Sequence, residues 1–331
     1  MLVVRFLGQG RVALEEMPLP EPQGEQVLVR VRAAAICGTD RENLEGPGQD
    51  TVPGHESAGE VAAVGRASRL RPGDRVAINC HITCGACEHC LRGDLFFCPE
   101  LAIVGFDIHG GFAEYTLVPE ACCMPLPDDI SYDAGALLVD MLGTAYRGVK
   151  RAGVLPRDRV AVWGAGPIGL SALLVASWLG AEVAVVDLNR YRQEMARTLG
   201  AHLVLDPAQD DVHAALMDWT HGRGVDAAFE CVGNERAAAQ ALQAVRNRGK
   251  MAFIGVSHHF AVNPWEDLIR RELTLYGSRS FVLPEWDEML SLVRRGLPVE
   301  AIVTHRFPLR EAERAFALFL SAQCGKVLLQ P

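Results

Sequence analysis

Apolar and polar residues alternate along the first part of the chain, up to about Pro127. Segments 27–32 and 60–64 show this period of two, and glycine and proline lie between such runs. A period of two places successive side chains on opposite faces of a strand, so the pattern predicts half-buried β-strands joined by turns. We therefore expect a β-rich region at the start of the chain.

The pattern changes at about residue 142, where short, continuously apolar runs begin to recur at regular intervals. Six runs predict strands, at 159–163, 182–186, 202–205, 225–229, 251–254 and 273–276. Helices are predicted between the first strands, at 167–179 and 189–199, each followed by a glycine. Because uninterrupted apolar strands are typical of parallel sheets that are buried on both faces, we predict a doubly wound α/β domain.

The last part of the chain predicts a helix at 286–295 and a closing strand at 325–329. We expect both elements to rejoin the β-rich domain. The predicted organisation is a β-rich domain over residues 1–141, a doubly wound domain over 142–280, and a return to the first domain over 281–331.

Composition and charge exclude several classes of function. The chain has 331 residues, 49% of them hydrophobic, and a formal net charge of −9, which disfavours binding to the phosphates of nucleic acid. The longest apolar stretch, 168–186, is interrupted by Gly180 and Glu182, and this predicts a helix and a strand rather than a membrane span. The first residues show no export signal, so we expect the ten cysteines to lie in the reducing cytoplasm.

Four cysteines lie within fifteen residues in the spacing C-x2-C-x2-C-x7-C. They are Cys84, Cys87, Cys90 and Cys98. Four thiolates form the tetrahedral set of a closed, structural zinc site. The residues between them are too few and too polar to build a core, so metal would stabilise this lobe, residues 80–100. Zinc lobes also occur in proteins without catalytic activity, so a non-catalytic zinc-binding module is an alternative.

A glycine-rich turn follows the first strand of the predicted α/β domain. It reads Gly164-Ala165-Gly166-Pro167-Ile168-Gly169. This G-x-G-x-x-G pattern between a strand and a helix is typical of dinucleotide binding, because the helix start presents free N–H groups to a pyrophosphate. Asp187 ends the next strand, where a carboxylate binds ribose hydroxyls and repels a 2′-phosphate, which favours NAD over NADP. Arg190 and Arg192 follow closely and would weaken this preference; we expect Arg192 to contact the cofactor.

Cys37 and His55 lie in separate predicted loops of the β-rich domain. Each residue alone is more typical of an ordinary buried or surface position. A catalytic zinc, however, needs a thiolate or imidazole from separate loops, a third ligand and one open position. Together with the dinucleotide turn, the two residues predict a second, catalytic zinc, and hence two zinc ions per chain.

At this point the chain resembles the zinc-dependent medium-chain alcohol and polyol dehydrogenases over essentially its whole length. The order of the motifs is that of the family: Cys37-Gly-Thr-Asp, Gly54-His-Glu, the four-cysteine lobe, Gly111-Phe-Ala-Glu-Tyr and the glycine turn. The threonine and sorbitol dehydrogenase branch is the most similar. The resemblance implies a GroES-like catalytic domain with an inserted Rossmann domain, and a homodimer or homotetramer.

The resemblance also implies the ligands of the catalytic zinc. Cys37 and His55 carry over as ligands, and Asp140 occupies the slot of the third, with Cys122 and Cys123 as chemically softer alternatives. Glu56 resembles a carboxylate of the family that approaches the metal when its water exchanges. Asp40 is expected to steady a ligand by hydrogen bonding.

The predicted reaction transfers a hydride between a secondary alcohol and NAD. The substrate would be a polyol, a sugar or an amino alcohol. Thr39 occupies the position where the family relays the hydroxyl proton, and Glu42 replaces the histidine that many relatives use at the outer end of this relay. The segment that ends in Glu42 resembles archaeal glucose dehydrogenases, which indicates recognition of a sugar or polyol. The alternative is that Glu42 is a solvated surface charge without a role in the reaction. Threonine 3-dehydrogenase itself and a zinc-free quinone or enone reductase are the other possible functions.

Overall fold

The computed structural model describes residues 1–256 and 258–331. They form two compact units: residues 1–141, 282–295 and 303–331 make the first, and 142–281 and 296–302 make the second. None of the helices in these described ranges is long and apolar enough to cross a membrane.

The elements follow in chain order. The first stretch contains β1 Leu2–Gly8, β2 Arg11–Glu16, β3 Gln26–Ala35, α1 Asp40–Glu45, β4 Glu56–Val64, β5 Arg75–Ile78, β6 His81–Ile82, α2 Glu88–Leu91, β7 Ala102–Ile103, β8 Tyr115–Pro119, β9 Cys123–Pro125 and α3 Tyr132–Leu137. The middle stretch contains α4 Gly143–Ala152, β10 Arg159–Trp163, α5 Pro167–Trp178, β11 Glu182–Val186, α6 Arg190–Thr198, β12 Leu203–Leu205, α7 Val212–Trp219, β13 Val225–Glu230, α8 Glu235–Ala244, β14 Val245–Phe253 and β15 Thr274–Gly277. The last stretch contains α9 Glu285–Arg294, β16 Val303–Pro308, α10 Ala312–Ser321 and β17 Lys326–Gln330.

A seven-stranded sheet organises the first unit. Its strand order is β16-β17-β3-β4-β5-β9, and β8 also pairs with β3. The C-terminal strand β17 runs antiparallel to the end of β3, with Leu328 opposite Ala35. On the other side of β3, Ala35 lies opposite Glu56, the first residue of β4. This register brings the end of β3, the start of β4 and the start of β17 to one place.

A six-stranded parallel sheet organises the second unit. Its order, β12-β11-β10-β13-β14-β15, is that of the dinucleotide-binding Rossmann fold. The central strands are apolar and buried, and α5 is buried along most of its length, as expected for a sheet covered on both faces. The α/β fold class with its doubly wound parallel sheet is confirmed.

The sequence pattern gave bounds for only three helices, and those it did not place include α3, α4 and α10. Helix α3 contains one glycine and α4 contains two, and glycine lowers the intrinsic helix propensity. Tertiary packing bears on one of them: a Cβ atom at Gly148 would lie 2.5 Å from the side chain of Ile254, so glycine lets α4 approach the end of β14 without displacing that side chain. Between α3 and α4, residues Leu138–Leu142 form a π-helical turn, a conformation that occurs frequently at functional sites.

Candidate active site

Four side chains in the first unit converge on one point. The ligand atoms of Cys37, His55, Glu56 and Asp140 all lie within 4.8 Å of one another. Cys37 follows the end of β3, His55 and Glu56 are at the start of β4, and Asp140 comes from the π-helical turn. The pairing of β3 with β4 therefore places three of the four residues, and the turn supplies the last.

The spacing of these atoms fits a zinc ion. The Sγ of Cys37 lies 3.4 Å from Oδ2 of Asp140, and Nε2 of His55 lies 3.7 Å from the same oxygen. With bonds of about 2.0–2.3 Å, neighbouring ligand atoms of a tetrahedral zinc lie about 3.3–3.8 Å apart. The softer alternatives to Asp140, Cys122 and Cys123, are not members of this group.

Asp40 and Thr39 contact Cys37 and His55, the two candidate ligands that come from the loops. Oδ2 of Asp40 accepts a hydrogen bond from the backbone N–H of Cys37 at 2.8 Å, and Oδ1 lies 3.4 Å from Nδ1 of His55. A carboxylate at the second ring nitrogen orients a ligating histidine. The hydroxyl of Thr39 lies 3.3 Å from Sγ of Cys37 and 3.4 Å from Nε2 of His55, so it faces the same space.

Burial and mutual charge set the protonation of the group. Burial raises the pKa of Cys37, and the nearby carboxylates Glu56 and Asp140 raise it further. Burial alone would lower the pKa of His55, but the charges of Cys37 and Asp40 raise it well above its usual value. Metal binding needs the thiolate form of Cys37 and the neutral form of His55, so a bound cation would displace protons from this group.

Lys326 is a site residue that the sequence analysis missed. Its Nζ lies 2.7 Å from both carboxylate oxygens of Glu56 and donates to Oε1. Both side chains are almost fully buried, at 2% and 0% exposure. Burial raises the pKa of Glu56, and the ammonium of Lys326 opposes this rise. The sequence contains one feature that could have indicated this residue: a lysine at the start of an apolar strand, where a buried charge needs a partner.

Glu42 lies apart from the metal group. It is exposed on α1, and the four converging side chains do not include it. Thr39, the inner member of the predicted proton relay, lies at the metal group. Glu42 comes three residues later, so part of a helical turn separates it from that group. Its role in a proton relay stays a prediction.

The four cysteines of the lobe also converge. Their Sγ atoms lie within 4.8 Å of one another, with Cys87–Cys90 at 3.4 Å, Cys84–Cys98 at 3.6 Å and Cys84–Cys90 at 3.9 Å. Disulfide sulfurs are about 2.05 Å apart, whereas sulfurs around a tetrahedral zinc are about 3.8 Å apart. The geometry fits a closed zinc site with four thiolate ligands.

The glycine turn of the second unit has the geometry that a pyrophosphate requires. Gly164 has φ +91°, which favours glycine, and a Cβ atom at Gly169 would lie 1.7 Å from the carbonyl oxygen of Gly164. Helix α5 can start so close to β10 only without that side chain. Gly166 precedes the helix, Pro167 is its first residue, and Ile168 follows; all three are partly exposed.

Asp187 and Arg192 lie beside this turn. The carboxylate of Asp187 accepts hydrogen bonds from the N–H groups of Ala165 at 2.5 Å and Asn189 at 2.6 Å. Nη1 of Arg192 lies 3.7 Å from the position of a Cβ atom on Gly166. Its Nε is buried and has no hydrogen-bond partner among the described residues. A cation with an unused donor beside the turn fits an anionic ligand such as a dinucleotide.

Comparison with known proteins agrees with this geometry. Residues 23–128 match the alcohol dehydrogenase GroES-like domain, and residues 167–295 match the zinc-binding dehydrogenase family. The L-threonine 3-dehydrogenase of Chromobacterium violaceum is 35% identical over 96% of this chain and 95% of its own length. The alcohol dehydrogenase of Thermus sp. ATN1 is 34% identical, with a TM-score of 0.92 over 100% of this chain and 99% of its own. Galactitol-1-phosphate dehydrogenase from Escherichia coli is 26% identical, with a TM-score of 0.90 over 100% of both chains.

The chain belongs to the zinc-dependent medium-chain alcohol dehydrogenase family. It is an oxidoreductase that acts on the CH–OH group of small-molecule alcohols. Its cofactors are zinc and a nicotinamide dinucleotide. The expected GroES-like and Rossmann domains are confirmed, and the alternatives of a zinc-free reductase and a non-catalytic zinc module are set aside.

Proposed function

We propose that the enzyme oxidises the secondary hydroxyl of a small amino alcohol of the threonine type, at a catalytic zinc held by Cys37, His55 and Asp140. The observation that carries this proposal is the convergence of these ligand atoms with Glu56 inside 4.8 Å. The amino-alcohol class is supported by the 35% identity to the L-threonine 3-dehydrogenase of Chromobacterium violaceum. A second zinc would bind the four cysteines of the lobe.

The residues of the group divide the chemistry among them. A zinc ion in this position acts as a Lewis acid that lowers the pKa of an alcohol hydroxyl. Thr39 faces the group with its hydroxyl 3.3–3.4 Å from two ligand atoms, and in this position it can accept a proton and pass it outward. Asp40 holds the backbone of Cys37 and the ring of His55 in place.

Glu56 is held beside the metal group by Lys326. A carboxylate ion buried without a partner would be strongly destabilising, and the ammonium at 2.7 Å compensates its charge. The pair also draws Glu56 toward β17, so Glu56 serves as a reserve ligand for the metal while Asp140 completes the permanent set.

A substrate panel tests the proposed class. L-Threonine, simple secondary alcohols, sugars and polyols are each supplied with NAD, and the increase in NADH absorbance is recorded. We expect the highest kcat/KM with L-threonine or a related amino alcohol. A polyol or sugar that exceeds all amino alcohols would instead support the second candidate, which is favoured by the likeness to galactitol-1-phosphate dehydrogenase. Activity that persists after complete removal of zinc would contradict the proposal.

Asp187 is expected to set the choice of cofactor. Its carboxylate repels the 2′-phosphate of NADP and can bond a free ribose, so the change Asp187→Ser should shift the preference toward NADP. We expect the NAD/NADP ratio of kcat/KM to fall about tenfold or more, equivalent to roughly 1.4 kcal/mol. The matched control is Asp206→Ser, after the neighbouring strand β12, which should leave the ratio unchanged. A wild-type enzyme that prefers NADP would contradict this assignment.

Glu42 is the predicted outer member of the proton relay. Glu42→Gln removes a general base, so the rate of alcohol oxidation at moderate pH should fall by about tenfold, less than the ~10²–10⁴-fold of a base in direct contact. The rate should recover partly as hydroxide rises, while zinc content and NAD affinity stay unchanged. Glu45→Gln on the same helix is the control. A raised KM for polyols with an unaltered pH profile would indicate sugar recognition instead, and unchanged rate and KM would make Glu42 a surface charge.

We propose a homo-oligomer on the basis of an exposed sheet edge, and a reducing compartment on the basis of the thiols. Strand β15 is the edge of the parallel sheet, and Trp265 and Ile269, which precede it along the chain, are 59% and 61% exposed. An open edge with exposed apolar residues favours pairing with a second copy, in support of a homodimer or homotetramer. All ten cysteines are free thiols, which supports a reducing compartment such as the cytoplasm.

A further inference from the structure

A buried carboxylate, that of Glu230, lies at the carboxyl end of β13. It belongs neither to the candidate metal groups nor to the glycine turn. The side chain of Glu230 is fully buried. Its Oε1 accepts hydrogen bonds from the backbone N–H groups of Val232 and Gly233, both at 2.8 Å. Its Oε2 is also buried and has no hydrogen-bond partner among the described residues. Because burying a carboxylate is costly, its place in the interior requires a compensating role.

The turns after β13 and β14 pack closely around this carboxylate. The backbone carbonyl of Glu230 accepts hydrogen bonds from Ile254 at 2.9 Å and Gly255 at 2.8 Å. A Cβ atom at Gly255 would lie 2.4 Å from the backbone nitrogen of Gly233 and 2.9 Å from Oε2 of Glu230. The carboxylate therefore fixes the turn 231–234 through hydrogen bonds. The turn 254–256 packs against the turn 231–234 and is fixed in position by that contact.

These two turns present apolar side chains at the cofactor edge of the sheet. Val232 and Val256 are 48% and 71% exposed, which is unusual for valine. Val232 also borders the glycine turn, because its Cγ2 would lie 2.8 Å from a Cβ atom at Gly164. With Asp187 after β11 and the glycine turn after β10, a dinucleotide that crosses this edge must extend its nicotinamide half toward β13 and β14.

We propose that Glu230 is a positioning residue that holds Val232 and Val256 against the nicotinamide half of NAD. The inference rests on the assignment of the glycine turn and Asp187 to the cofactor proposed above. The carboxylate does not contact the cofactor itself; it acts through the backbone of the turn 231–234. The adenosine half, on the far side of β10, does not depend on it.

The test compares two ligands that share the adenosine half. Binding of NADH and of AMP is measured by calorimetry for the wild type, Glu230→Ala and Glu230→Gln. We expect Glu230→Ala to weaken NADH binding about tenfold or more and to change AMP binding less than about twofold. Glu230→Gln should restore most of the NADH affinity, because its amide oxygen still accepts the two N–H groups. Glu182→Ala, at the opposite end of the sheet, is the control and should change neither affinity.

If Glu230→Ala does not fold, Gly255→Ala takes its place, because the added methyl group displaces the same turns and should also weaken NADH selectively. Equal losses for NADH and AMP, or wild-type NADH affinity in a folded variant, would overturn the positioning role. The cofactor assignment on which the inference rests is tested separately with the variant Asp187→Ser. If the wild type binds NADH and Asp187→Ser binds AMP as tightly as the wild type does, that assignment would be overturned.

Discussion

Replacing Cys37 by alanine is expected to lower the zinc content from two ions per chain to one and to abolish alcohol oxidation. The thiolate is a ligand in our assignment, and its Sγ lies 3.4 Å from the carboxylate of Asp140. Loss of a residue that merely orients a ligand costs about 10–100-fold in metal affinity or activity. The loss of kcat/KM should therefore exceed about 10²-fold. Zinc is measured by mass spectrometry of the metals and turnover by NADH absorbance.

The fold should survive this replacement, because the lobe and the parallel sheet do not involve Cys37. Cys80→Ala is the matched control: Cys80 is also a buried thiol of the first unit but is absent from both metal groups. We expect two zinc ions and near-normal turnover for this control. A Cys37→Ala protein that keeps both zinc ions and its activity would show that Cys37 is not a ligand.

Replacing Cys90 by alanine should have its largest effect on stability. Cys90 packs with Leu95 and Cys98 in a small cluster. Among the described residues, Leu101 and Leu283 are the members of that cluster from outside the lobe. So small a core gives little hydrophobic stabilisation, whereas structural zinc binding contributes about 10–16 kcal/mol in isolated zinc fingers. We expect loss of one zinc ion, a lower melting temperature and rapid proteolysis within residues 84–98.

The control for this change is another buried cysteine outside both metal groups. Cys324 is 1% exposed and belongs to the core of the first unit. Cys324→Ala should retain two zinc ions and resist proteolysis in the lobe. If Cys90→Ala kept a full complement of zinc and wild-type resistance, the lobe would not be a zinc site.

The motifs that the sequence predicted best are local ones. The four cysteines lie close along the chain, and the glycine turn occupies six consecutive residues, so their spacing alone limits the geometry that they can adopt. The parallel sheet was also predictable, because apolar runs bounded by glycines mark each buried strand. Helix α4 was not, because the reason for its glycines lies in contacts with β14 that are distant along the chain.

The candidate catalytic group could not be predicted from local sequence patterns, because its members are far apart along the chain. Cys37 and Asp140 are 103 positions apart, and the sequence indicated Asp140 only through resemblance to a family. Glu56 and Lys326 are 270 positions apart, and the sequence analysis did not pair them. The partners meet because β17 and β4 flank β3 in the same sheet, and no local pattern encodes that strand order.

The sequence by itself therefore predicted two groups of candidate metal ligands, the dinucleotide turn and the α/β character of the second unit. Each of these depends on residue type and short-range spacing, which the chain displays directly. Only the tertiary structure showed that both Glu56 and Asp140 lie beside Cys37 and His55, that a buried lysine neutralises Glu56, and that Glu230 is buried at the carboxyl end of β13. These features depend on strand order and on burial, and burial determines both the cost of an unpaired charge and the partner that it needs.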